Sequence, residues 1–290
     1  MIIKRYEVLC EPGSIDQPEV EDVFFAGHPF FLFEMVYDGA SSRLSDGSKV
    51  RFGEDSTMAK HVGRIVRDVF WEAQDSDSLK EVILRANLHV RRFQENLAIP
   101  LDRADLLSGG VIAAIKMGDK TLSGGWAGDC FIVVVQRDGK VWATRNPAYE
   151  SSRKEGALIQ KALEESRGAR DEEFFGKFSR IVADFRLKDM NQPKANNQDA
   201  FGFLNGQEGL AEHLEEFSVP SDSVLAVILG TDGATSLEDS RDPQVLAKKT
   251  WDRYLRGGLY GIVKEARAEK DPSASYVSYD EATLIVIEFV

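Results

Sequence analysis

The chain has 290 residues, 43% hydrophobic and 29% charged, which suits one large domain or two small ones with a proper core. Its 36 basic residues against 48 acidic ones leave a formal net charge of -12, which argues against a broad nucleic-acid surface. No apolar run reaches bilayer length and no signal-peptide pattern opens the chain, so the cytoplasm is the expected setting.

Residues 2–9 read as a first strand, and a polar loop follows to Glu19. Glu21-Asp22 then opens a strand through Val23-Phe24-Phe25, and His28-Pro29 turns it into the run Phe30 to Tyr37, predicting an antiparallel pair. That run ends in Asp38-Gly39. A buried strand thus finishes on a carboxylate, and the glycine permits a sharp turn and brings a bare carbonyl close. Carboxylate and carbonyl oxygens suit a hard cation such as magnesium or manganese. The antiparallel pairing would bring Glu21 and Asp22 toward the same end as Asp38.

A polar loop over 40–54 carries Arg43, Lys49 and Arg51. Apolar residues at helical spacing predict a helix over 56–73 and a second over 78–96, the latter capped by Asp77 or Ser78. Strands over 110–117, 120–127, 129–135 and 141–143 read as an antiparallel meander, with a hairpin turn at Arg137-Asp138-Gly139-Lys140. Asp129 stands at one of its junctions. Helices are predicted over 154–167 and 171–185, and 191–199 is the least regular stretch. Residues 224–231 form a strand that again ends in Asp-Gly, at Asp232-Gly233. A helix over 243–268 breaks at Gly257-Gly258. Asp280 immediately precedes a last strand over 282–289.

The order of elements predicts an α+β fold with mostly antiparallel sheet, and neither a repeat nor a domain boundary interrupts it. The expectation is a single domain over 1–290. Of the 2 cysteines, Cys10 and Cys130, neither lies in a zinc-binding spacing, and the 4 histidines are scattered. Three acidic strand ends far apart in sequence are the main chemical signal. Only tertiary folding can bring them together.

Read in order, these segments resemble the metal-dependent protein phosphatases, the protein phosphatase 2C family, over nearly the whole chain. The resemblance is carried by Glu21-Asp22, VYDGAS at 36–41, GGWAGDCFIVVV from Gly124, FSRIVADFRLK at 178–188, VLAVILGTDGATS and YDEATLIVI. Ala183 stands where the family has glycine, and Glu281 where it has asparagine. The resemblance implies a sandwich of two antiparallel sheets flanked by helices, in four αββα layers. It implies hydrolysis of phosphoserine and phosphothreonine in proteins by a hydroxide bridging two Mg2+ or Mn2+ ions. Asp38, Asp232 and Asp280 would be the catalytic core. Asp38 would bridge both ions, with the Gly39 carbonyl adding a ligand. Asp22 and Glu21 would act directly or through water, and Asp129 would touch a weak third ion.

The departures bear on activity. Gln17 stands where the family has a phosphate-binding arginine, Ala40 follows the first Asp-Gly step, and Ser236 replaces an acid near the third ion. Arg43, Lys49 and Arg51 are candidates to replace the missing arginine. The expected partner is a phosphorylated protein, with neither nucleic acid nor membrane, and the expected state is a monomer. The alternatives are a pseudophosphatase acting as a binding module and a hydrolase of small phosphoesters.

Overall fold

The structure, a computed structural model, describes residues 2–13, 20–27, 32–42, 48–53, 56–169, 172–269 and 281–290. In chain order the strands and helices are β1 (Ile3–Glu11), β2 (Val23–Ala26), β3 (Phe33–Ala40), α1 (Met58–Trp71), α2 (Leu79–Asn96), β4 (Gly109–Met117), β5 (Thr121–Ala127), β6 (Phe131–Gln136) and β7 (Val141–Ala143). They continue with α3 (Tyr149–Glu165), α4 (Glu172–Asp189), α5 (Leu210–His213), β8 (Glu215–Pro220), β9 (Val224–Gly230), α6 (Leu237–Ser240), α7 (Pro243–Glu269) and β10 (Ala282–Phe289).

The strands form two 5-stranded antiparallel sheets, ordered β1-β10-β9-β6-β7 and β2-β3-β4-β5-β8. The apolar runs of β4, β6, β9 and β10 are buried along nearly their whole length, because each has one face on the other sheet and one under helices. Between the sheets pack Val36, Ala113, Ile115, Ile132, Val134, Leu229 and Ile287. Val62, Val66, Phe70, Val82 and Ile83 of α1 and α2 cover the outer face of one sheet. Leu246, Tyr254, Ile262 and Val263 of α7 cover the other. The result is the four-layer αββα sandwich.

The helical stripes of α1 and α2 lie as their spacing predicts. Of the two possible caps for α2, Ser78 takes the role, accepting from the Glu81 N–H while the Glu81 carboxylate accepts from the Ser78 N–H. Among the described residues no helix is long and apolar enough to cross a membrane.

Three local expectations fail for identifiable reasons. The predicted meander is broken, since β5 pairs with β4 and β8 while β6 pairs with β9 and β7. The chain passes between sheets at Gly128, whose φ of 77° suits a residue without a Cβ. The step at Asp38-Gly39 is not a turn, because β3 continues to Ala40 and Gly39 pairs with Gly110. Glycine is needed there for close approach instead: a Cβ on Gly39 would lie 2.7 Å from the Glu21 carbonyl oxygen. Strand β8 was not predicted, although its alternating exposure is that of a half-buried edge strand.

Candidate metal centre

Strand register explains why distant acids meet. Val23 pairs with Tyr37, so Asp22 and Asp38, each one residue further along antiparallel strands, lie side by side. Phe131 and Leu284 both pair with Gly230, so Asp129 and the start of β10 converge on Asp232. Face-to-face packing of the sheets then brings the two groups together. The Asp38 carboxyl is within hydrogen-bonding contact of Asp232 and feels the negative charge of Asp22 and Asp129.

The electrostatic consequence is large. Burial, followed by the charge of Asp232, Asp22 and Asp129, pushes the Asp38 carboxyl well above the usual carboxylate range. Burial, followed by the charge of Glu281, does the same to Asp22. The Thr283 and Thr231 side chains partly offset this, the Thr231 hydroxyl donating to Asp22 Oδ2 at 3.0 Å while accepting from the Thr283 N–H at 2.9 Å. Asp22 Oδ1 is buried and has no hydrogen-bond partner among the described residues.

The neighbouring Glu21 is treated differently. It is 3% exposed. Lys49 Nζ lies 2.6 Å from its Oε2, and the Ser41 hydroxyl donates to its Oε1. Glu281, which follows Asp280, accepts from the backbone N–H groups of Glu21 and, at 2.8 Å, Asp22. It therefore clamps the backbone of the Glu-Asp pair. Burial raises the Glu281 carboxyl above its ordinary value, against those N–H groups and Lys49.

The remaining candidates fall as follows. Gly39 lies against Glu21. Asp129 and Asp232 line a pocket of about 210 Å³, together with Asn146, Ser152 and Ser240. Ala40 ends β3, and Ser236 caps the short helix α6 through the Asp239 N–H. Lys49, expected to meet substrate phosphate, is engaged with Glu21. Arg51 is exposed, and its backbone bridges Thr57 just before α1. Asp280, Gln17 and Arg43 lie outside the described residues.

Several supporting residues were missed. Arg186, from the quoted FSRIVADFRLK segment, is 5% exposed. It donates to the Ser41 carbonyl at 2.9 Å and to Ser42 Oγ at 3.2 Å, holding the chain just beyond Asp38. Ser41 was visible in VYDGAS, and Thr231 stood beside Asp232, but a hydroxyl in a motif does not announce its partner.

The chemistry of this donor set fits a hard divalent cation. It offers several carboxylate oxygens in mutual repulsion and a buried Asp22 oxygen with no partner among the described residues. Among the described residues alone, no group of 3 or more His, Cys, Asp or Glu side chains is arranged to hold a metal ion.

No family model matches the chain, and no curated protein matches its sequence. Solved structures do resemble it. The serine/threonine phosphatase Stp1 from Staphylococcus aureus aligns over 100% of this chain and 96% of its own, with a TM-score of 0.57 at 11% identity. The Mycobacterium tuberculosis serine/threonine phosphatase PstP/Ppp aligns over 98% of both chains, with a TM-score of 0.52 at 15% identity. The catalytic domain of PstP, solved in complex with 2 manganese ions, aligns over 98% of this chain and 97% of its own, with a TM-score of 0.51 at 16% identity. The αββα sandwich of this chain is thus the fold of these serine/threonine phosphatase structures.

Proposed function

We propose that the chain is a divalent-cation-dependent hydrolase of phosphoserine and phosphothreonine in proteins, with residues 1–290 forming one catalytic unit. The observation that carries this reading is the convergence of Asp22, Asp38, Asp129 and Asp232 at facing sheet ends, with a buried Asp22 oxygen lacking a partner among the described residues. The shared fold of serine/threonine phosphatases supports it.

In this reading Asp38, Asp232 and Asp280 hold Mg2+ or Mn2+, with Asp22 and the Gly39 carbonyl adjoining and Asp129 on the pocket side. Bound divalent cations cancel the charge of a phosphate dianion and acidify water at neutral pH. The chain's own residues prepare the site. Thr231 fixes one oxygen of Asp22 and leaves the other free to bind. Glu281 fixes the backbone that carries Glu21 and Asp22. Arg186 ties down the residues that follow Asp38. Lys49 neutralises Glu21, so that carboxylate acts as a support more than as a ligand.

The test is hydrolysis of p-nitrophenyl phosphate and of a phosphoserine peptide with and without Mn2+, using Asp38→Asn as control. Activity that needs Mn2+ and is lost in the variant supports the reading, and a folded protein with no such activity overturns it. The pairing of Lys49 with Glu21 favours a second reading, a binding module of the same fold without turnover. The same assay separates the two, and replacing the peptide by small phosphoesters tests the substrate class.

A further inference from the structure

Beside the acidic cluster a groove of about 680 Å³ runs between β2 and α1. One wall is β2 from Val23 to Ala26, beginning at Asp22. The other carries Lys60, Arg64, Arg67, Asp68 and Trp71, and the spacing of Lys60, Arg64, Arg67 and Trp71 puts those four on one helical face. The chain as a whole has a net charge of -12, so a cationic row next to its acidic centre stands out. Arg67 is paired with Asp68, whereas Lys60 and Arg64 have no ion-pair partner among the described residues. Trp71 is 61% exposed and meets Phe25 edge-on at 6.0 Å.

The β2 wall is itself a recognition element. This strand is the edge of its sheet, paired only with β3 among the described residues. An edge strand turns alternate N–H and C=O groups outward, ready to accept another strand. The lengths match. The eleven residue steps from Lys60 to Trp71 span about 16 Å of helix, and an extended segment of about five residues spans the same distance.

We propose that this groove seats an extended acidic peptide, which adds to the β2 edge and sets alternate carboxylates against Lys60 and Arg64. Backbone hydrogen bonds supply register, and the cations select the side chains that face α1. Trp71 closes the far end with apolar surface. Because Asp22 lines the near end, a peptide in the groove leads into the acidic centre. Its identification as the flank of a phosphorylated substrate rests on the phosphatase reading.

The experiment uses the full chain and labelled, unphosphorylated peptides of about five residues, read by fluorescence anisotropy. One peptide carries glutamate at alternate positions, and another carries lysine there. The glutamate peptide is expected to bind about tenfold more tightly. The double variant Lys60→Glu/Arg64→Glu is expected to reverse that preference with an unchanged circular dichroism spectrum. N-methylation of the peptide backbone is expected to weaken binding in both proteins. Equal affinity for the two peptides, or a preference that survives charge reversal, overturns the proposal. So does a dimer in sedimentation that the double variant abolishes, which would assign the edge to a second copy. Anionic vesicles displacing the peptide would assign the cations to a lipid surface and overturn it as well. Peptide binding without Mn2+-dependent hydrolysis overturns the phosphatase reading alone. Hydrolysis without peptide preference overturns the docking site alone.

Discussion

The acidic centre has two halves that solve the same problem in opposite ways. On one side, Glu21 is buried beside Lys49 and Ser41. On the other, Asp38 faces Asp232, Asp22 and Asp129, whose negative charge adds to burial in raising its carboxyl. Removing a carboxylate from water costs several kcal/mol unless a counter-charge or donors replace the hydration. The Glu21 half is compensated within the chain, and the Asp38 half is left in repulsion. A divalent cation bound between these carboxylates would relieve that repulsion.

The largest expected effect breaks the uncompensated half. Asp38→Asn should lower Mn2+-dependent hydrolysis by about a thousandfold, the several kcal/mol that charge neutralisation at phosphate provides. Steady-state kinetics at saturating Mn2+ checks this. Next comes the compensated half. Lys49→Met strands a buried carboxylate and should cost about 3–5 kcal/mol in cation-free protein, read by urea unfolding. Mn2+ should then raise the melting temperature of that variant more than that of the wild type, because Glu21 becomes available to the ion.

A smaller effect sharpens the contrast through pH. The folded chain holds Asp38 and Asp22 protonated to higher pH than the unfolded chain does. It therefore binds more protons above the ordinary carboxylate value of about 4, and stability falls as pH rises through that window. Cation-free protein should melt a few degrees higher at mildly acidic than at neutral pH, with the difference reduced in Asp38→Asn. A flat profile, or one that rises with pH and is unchanged in the variant, would contradict the repulsion. The smallest effect belongs to Ser41→Ala. It removes one donor to Glu21 and the acceptor of the Ala59 N–H at 2.9 Å, at a cost of about 1–2 kcal/mol in urea unfolding.

Much of the architecture was legible in the residues. The apolar stripes of α1 and α2 and the last strand, β10, could be read directly, because burial imposes periods that survive in one dimension. The split between β5 and β6 could not, since both are apolar runs and the sheet each joins depends on its partners. The role of Gly39 was misread for a similar reason. Its neighbours in sequence suggest a turn, while the constraint comes from Glu21, eighteen positions earlier. Nor did anything local tie Lys49 to Glu21, because a loop lysine reads the same whether solvated or buried against a carboxylate.

By itself, then, the sequence determined where carboxylates end apolar strands, and with that the kind of cation such oxygens suit. Tertiary structure decided which of those carboxylates are compensated and which repel one another. Strand register and the packing of one sheet on the other set those distances, and the energy of a charge depends on its distance from other charges and from water, neither of which is written along the chain.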